Sequence, residues 1–249
     1  MDRKVMMLYE FYTGLDQEQV KIETKLHSLD YLKELSAKAK LEYCELSGKV
    51  YKYKLSGVSQ DFYRELLKDH LDKKSNLCAY FRDKESSLFA FNLDSKSEWK
   101  DKIKIAALYM ADSLLKVGIA PLILKSGHGY HFWCRNSVPV PNSKLQIFMS
   151  LIKKSTIQQM MLKGIETNDL QCTCYPRPNG KDVSLRLFGS KHMRTGMFSS
   201  VVTRIDAEDT ILGEEDSWRY FDRYLREFTL AEKTFAKAFA EAQKIFASE

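Results

Sequence analysis

The sequence predicts an α+β fold, with helices flanking mixed sheets, and three observations carry that expectation. Short apolar runs bounded by turn residues, at 88–93 and 183–188, have the length and borders of buried strands. Longer stretches, at 100–117 and 214–247, place apolar residues at helical spacing. The two kinds of segment follow one another with no internal repeat and no low-complexity linker.

Between residues 15 and 42, Val20, Ile22, Leu26, Leu29, Leu32 and Leu35 alternate with charged residues at mixed helical spacing, which predicts one or two amphipathic helices. A further helix is expected over 59–73. The run 88–93, Leu-Phe-Ala-Phe-Asn-Leu, reads as a buried strand with Asp94 at its end, and the helix over 100–117 stops at Gly118. Residues 121–124 and 130–134 read as two strands joined by the glycine-containing turn 125–129. A helix over 142–163 is opened by Pro141 and Asn142 and closed by Gly164. Residues 172–176 and 183–188 read as a second strand pair turning through Pro176-Arg177-Pro178-Asn179-Gly180, and 199–205 adds a strand. The domain reading is an α+β domain over 1–212, with 213–249 as a C-terminal helical segment packed on it.

At 249 residues and 44% hydrophobic content, the chain is long enough to bury a substantial core without disulfides. Its five cysteines are an odd number, scattered apart from the Cys172-Thr173-Cys174 pair, so a secreted disulfide framework is not expected and a reducing cytoplasm is. No apolar run approaches the roughly 20 residues that span a bilayer, and the first ten residues lack the apolar core of a signal peptide. The net charge of +6 is spread along the chain, which permits polyanion binding and equally suits a lysine-rich solvated surface.

Three segments carry potential chemistry. In the first, Asn92 and Asp94 project from one face of a strand, where paired acids would share a divalent cation; Asn92 offers only a neutral carbonyl, and the pair also suits an ordinary strand end. The second is Ser126-Gly127-His128-Gly129-Tyr130-His131, whose glycines allow backbone N–H groups to approach a phosphate while His131 donates to it. A buried core histidine is the plainer alternative for His131. Zinc carries little weight here, because His128 and His131 would face opposite sides of a strand. The third segment, residues 185–196, ends a strand with Arg186, Lys191, His192 and Arg194, a concentration of positive charge fit for a triphosphate or for a solvated turn.

Taken in order, these segments resemble the motifs of the archaeo-eukaryotic primase superfamily over residues 88–205. Ser126, Gly127, Gly129 and His131 match that family's S-G-x-G-x-H motif. Arg186, Leu187, Gly189, Ser190, His192, Thr195 and Gly196 match its closing basic loop, with Arg194 where a lysine is usual. The resemblance implies a primase or primase-polymerase catalytic domain of DNA replication, carried by a plasmid, virus or integrated element. It implies template-directed nucleotidyl transfer with Mg or Mn, on single-stranded DNA and nucleoside triphosphates. Asp94 would be a metal ligand, His131 a catalytic and phosphate-binding residue, and Ser126, Gly127, Arg186, Ser190, Lys191, His192 and Arg194 would bind nucleotide phosphates. The departures are the acids: Asn92 and Thr173 stand where the family places carboxylates. Asp169, Asp182 and Glu166 lie nearby, outside the expected register, and Cys172 with Cys174 would offer a soft alternative site. The resemblance therefore also admits a catalytically inactive, nucleic-acid-binding or assembly subunit beside an active polymerase or helicase.

Overall fold

The computed structural model describes residues 2–95, 100–127, 129–168, 170–177, 184–193, 195–206 and 208–246. Two compact units form: Met1–Arg82 with Gly180–Ser199, and Asp83–Asn179 with Ser200–Glu249. The α+β class is borne out, for helices accompany two sheets whose strand pairings are antiparallel.

The first unit holds α1 (Arg3–Phe11), β1 (Asp16–Thr24), α2 (Leu29–Lys38), β2 (Lys40–Ser47), β3 (Val50–Ser56), α3 (Gln60–Leu71), β4 (Ser75–Tyr80) and, from later in the chain, β9 (Leu185–Arg186). Its sheet runs β2-β3-β1-β4-β9. Residues 15–42 thus form a strand, a helix and a strand where helices alone were expected. Val20 and Ile22 are buried while Lys21 and Glu23 face the other way, a period of two that the neighbouring leucines obscured. Leu29 to Leu35 do lie on a helix, begun by the Ser28 hydroxyl accepting from the Tyr31 N–H. Val20, Ile22, Leu55, Leu77, Ala79 and Leu185 supply the buried side of the sheet, on which α3 packs. The opposite side is polar.

The second unit holds β5 (Glu85–Ser95), α4 (Lys100–Lys116), β6 (Leu122–Ser126), β7 (Gly129–Pro141), α5 (Asn142–Leu162), β8 (Leu170–Tyr175), β10 (Ser200–Arg204), β11 (Thr210–Ile211), α6 (Glu214–Glu227) and α7 (Glu232–Phe246). Its sheet runs β11-β10-β6-β7-β5-β8. Phe89, Phe91, Leu93, Tyr130 and Phe132 meet apolar residues of α4, α5 and α7 in one core, where Phe148 stands edge-on between Phe89 and Phe235 at 5.7 and 5.4 Å. Each such ring contributes about 1.5–3 kcal/mol by leaving water. On α6, the Tyr224 hydroxyl reaches the carbonyls of Ala120 and Trp133, both at 3.1 Å.

The strand pair expected from 172–176 and 183–188 does not form. β8 pairs with β5 and β9 with β4, in different sheets. The Pro-Gly chemistry after Tyr175 looks like a hairpin turn locally, yet each strand takes the partner whose apolar face it completes. Consequently Asp94 and His131 lie on the six-stranded sheet and Arg186 on the five-stranded one.

Candidate functional site

In the second unit, antiparallel register lays the candidate residues out as a grid on the sheet face turned away from α4 and α5. Asn92 on β5 is directly opposite His131 on β7 and Thr173 on β8, and His131 is in turn opposite Leu124 on β6. Paired residues share a face, so Thr173, Asn92, His131 and Leu124 form one row. The next row, two residues along, holds Gln171, Asp94, Gly129 and Ser126. The structure therefore brings Asn92, Asp94, Thr173, His131 and Ser126 together. His131 is buried, while Asn92, Asp94 and Thr173 are half-buried.

Local packing explains the turn between β6 and β7. A Cβ on Gly129 would sit 2.0 Å from the Leu93 carbonyl oxygen and 3.3 Å from Asp94 Oδ1, so only glycine lets β5 and its carboxylate come this close. Gly127 adopts φ 62°, the left-handed conformation of a tight turn. From the helix side, the Tyr130 hydroxyl donates to the Asp209 carboxylate, which also pairs with Lys104 at 3.2 Å, and Lys125 lies 3.8 Å above the Tyr130 ring. Burial, reinforced by Asp209, holds Tyr130 in its neutral form. Sequence reasoning missed Asp209 and Lys104, which lie on other elements. His128 lies outside the described residues.

The donor set does not fit a pair of divalent ions. Asp94 is the single carboxylate of the grid, and Asn92, Gln171 and Thr173 are neutral. Among the described residues no cluster of three or more His, Cys, Asp or Glu side chains could hold a metal. Asp169 and Asp182 lie outside those residues, and Glu166 pairs with Lys102 at 3.6 Å. Cys172 and Cys174 offer no soft replacement on this face, since they stand opposite Leu93 and Phe91 and pack against the helix-covered core. The Cys172 contact, with Lys153 and Arg177 nearby, holds the Cys174 thiol pKa below its ordinary value.

In the first unit, the closing basic segment is held by side chains far away in sequence. His70, on α3, accepts from the Leu77 N–H through Nδ1 at 2.9 Å and bonds the Phe188 carbonyl through Nε2 at 2.8 Å. Burial lowers the His70 pKa to about 4, with Arg186 adding to the effect and the Phe188 bond opposing it. The Tyr12 hydroxyl accepts from the Phe188 N–H at 3.0 Å, and the buried Ser190 hydroxyl donates to Asn76 Oδ1. After Ser190 the chain folds back on itself: Ser199 N–H reaches the Ser190 carbonyl, His192 N–H the Met197 carbonyl, and His192 Nδ1 accepts from the Thr195 N–H at 3.1 Å. Lys191 is exposed and His192 half-buried, and Arg194 lies outside the described residues.

Arg186 is buried on β9, and burial lowers its pKa. It faces Cys78 on β4, which faces Lys21 on β1, which faces Lys54 on β3. A row of three cations thus crosses the polar side of this sheet, with Lys54 3.6 Å from Glu42. Sequence reasoning missed Lys21 and Lys54. The signal was the alternation Val20-Lys21-Ile22-Glu23, a strand pattern read as helix.

No protein-family model matches this chain, and no curated protein matches it. Among solved structures it is similar to the polymerase domain of Mycobacterium tuberculosis ligase D in complex with DNA, at 12% identity over 91% of this chain and 89% of that one, with a TM-score of 0.48. It is also similar to the AEP domain of the cyanophage S-2L primase-polymerase, at 12% identity over 88% of this chain and 97% of that one, with a TM-score of 0.37.

Proposed function

We propose that this chain is a primase-like protein of DNA replication that binds nucleoside triphosphate and single-stranded nucleic acid and carries out little or no nucleotidyl transfer. The observation that carries the reading is the row Thr173–Asn92–His131. Two neutral side chains flank one another beside the motif histidine, at the positions where the resemblance calls for carboxylates. Two-metal transfer needs ligands that neutralise and fix both ions, and Asp94 alone cannot do so. The phosphate-directed groups are better preserved. His131 and the Ser126–Gly127 turn serve this role in one unit; Arg186, Lys191, His192 and Arg194 do so in the other, joined by Lys21 and Lys54. The Ser190 hydroxyl, turned to Asn76, braces that segment.

The same pair of neutral residues favours a second reading, a catalytically silent subunit acting beside an active polymerase or helicase of a mobile element. Both readings expect triphosphate binding without robust synthesis. The test is titration of a fluorescent nucleoside triphosphate into wild type and into the Asp94→Ala, His131→Ala and Arg186→Ala variants. The reading expects binding that survives Asp94→Ala and weakens about tenfold or more in the other two, the scale of a lost charge-assisted hydrogen bond. Absence of binding by wild type, or dependence on Asp94 alone, would overturn it.

A further inference from the structure

At one end of the five-stranded sheet, His27, in the loop after β1, lies flat on Tyr51 of β3. The ring centroids are 4.1 Å apart and the planes 4° from parallel. Tyr53 continues the set, its plane 11° from that of Tyr51, and Tyr31 meets it edge-on at 6.1 Å. The His27 ring is locked as well as stacked. The Tyr53 hydroxyl is hydrogen-bonded to His27 Nδ1 at 2.7 Å and lies 3.3 Å from the Leu26 carbonyl oxygen.

Tyr51 covers one face of the His27 ring, and the residue as a whole is exposed. Around it Leu26, Leu29 and Leu46 are 48%, 68% and 59% exposed, and Leu46 stands directly opposite Tyr51 in the β2–β3 register. Lys25, two residues before His27, and Lys49, in the turn leading into β3, are exposed at the same end of the sheet.

We propose that His27, backed by Tyr51 and Tyr53, is a stacking platform for an unpaired nucleobase, with Lys25 and Lys49 contacting the flanking phosphates. A flat ring fixed before binding loses little side-chain entropy when a base covers it, and any base offers a π-face, so such a platform suits single strands of any sequence. The lysines beside it match the backbone charge of a nucleic acid better than the apolar surface of a protein partner. The inference rests on the nucleic-acid-binding part of the proposed function and needs neither nucleotide nor metal.

The experiment is fluorescence anisotropy with a labelled oligo-dT and an abasic oligonucleotide of the same length, using wild type, His27→Ala and His27→Phe. Wild type should prefer oligo-dT by roughly 5- to 150-fold, the range that stacking of one base supplies. His27→Ala should remove that preference while leaving abasic binding unchanged, and His27→Phe should restore it. Equal wild-type affinity for the two oligonucleotides would overturn the platform and assign the leucine-rimmed patch to a protein partner. Failure of His27→Phe to rescue would overturn it too, by showing that His27 acts through its hydrogen bond to Tyr53. If wild type binds neither oligonucleotide at low salt, nucleic-acid binding itself falls, an outcome distinct from binding that does not depend on His27.

Discussion

Thr173 and Asn92 stand directly opposite one another in the β8–β5 ladder, on the sheet face that also carries Asp94 and His131. Exchanging this neutral pair for acids should restore the missing ligands. Asn92→Asp combined with Thr173→Glu is expected to tighten Mn binding by about tenfold or more, since each carboxylate adds a hard anionic oxygen ligand. Electron paramagnetic resonance titration of Mn reads this directly, and an unchanged affinity would mean that the two positions do not face a common ion.

Gly129 admits the close approach of β5. Gly129→Ala sets a methyl group 2.0 Å from the Leu93 carbonyl oxygen, so the backbone must move. The expected loss is about 1–3 kcal/mol, the usual range for overpacking. A thermal midpoint equal to that of wild type would show that β5 and β7 separate without cost.

His70 gives stability a pH dependence of definite sign. Its folded pKa, about 4, lies below the ordinary 6.5, so the unfolded chain takes up a proton that the folded chain refuses. The contribution is complete above pH 6.5 and is lost as pH falls from there towards 4, reaching on the order of 3 kcal/mol. Urea unfolding at pH 7 and pH 4.5 should show a smaller pH-induced loss in His70→Gln than in wild type. Equal losses would remove His70 from this role.

On the proposed reading, binding to single-stranded DNA should weaken steeply with salt, because phosphate contacts drawn from the excess of six positive charges would release counterions. Affinity is expected to fall by more than about tenfold between roughly 50 and 200 mM salt. A flat response would leave the charge as surface solvation.

The second unit was largely legible in the sequence. The strand at β5, the helices α4 and α5, the β6–β7 hairpin and the C-terminal helices each announce themselves by local period and capping. Much less of the first unit was legible: β1 through β4 form one sheet, yet Val20 and Ile22 sit among leucines that mimic a helix, and no local signal names a partner strand. The same limit hid His70, Asn76 and Tyr12, which hold the basic segment across 118, 114 and 176 residues of sequence. Register, by contrast, was partly readable. Counting back from Tyr175-Pro176 selected Thr173, which stands across from Asn92.

Incorporation of labelled nucleotides on a single-stranded DNA template, with Mg or Mn, tests the central claim most directly. The account predicts that wild type incorporates no more than Asp94→Ala, while Asn92→Asp with Thr173→Glu exceeds both if the scaffold is otherwise competent. Robust synthesis by wild type that Asp94→Ala abolishes would contradict it, showing that this chain completes a catalytic metal centre around Asp94 with further ligands from outside the Thr173–Asn92–His131 row.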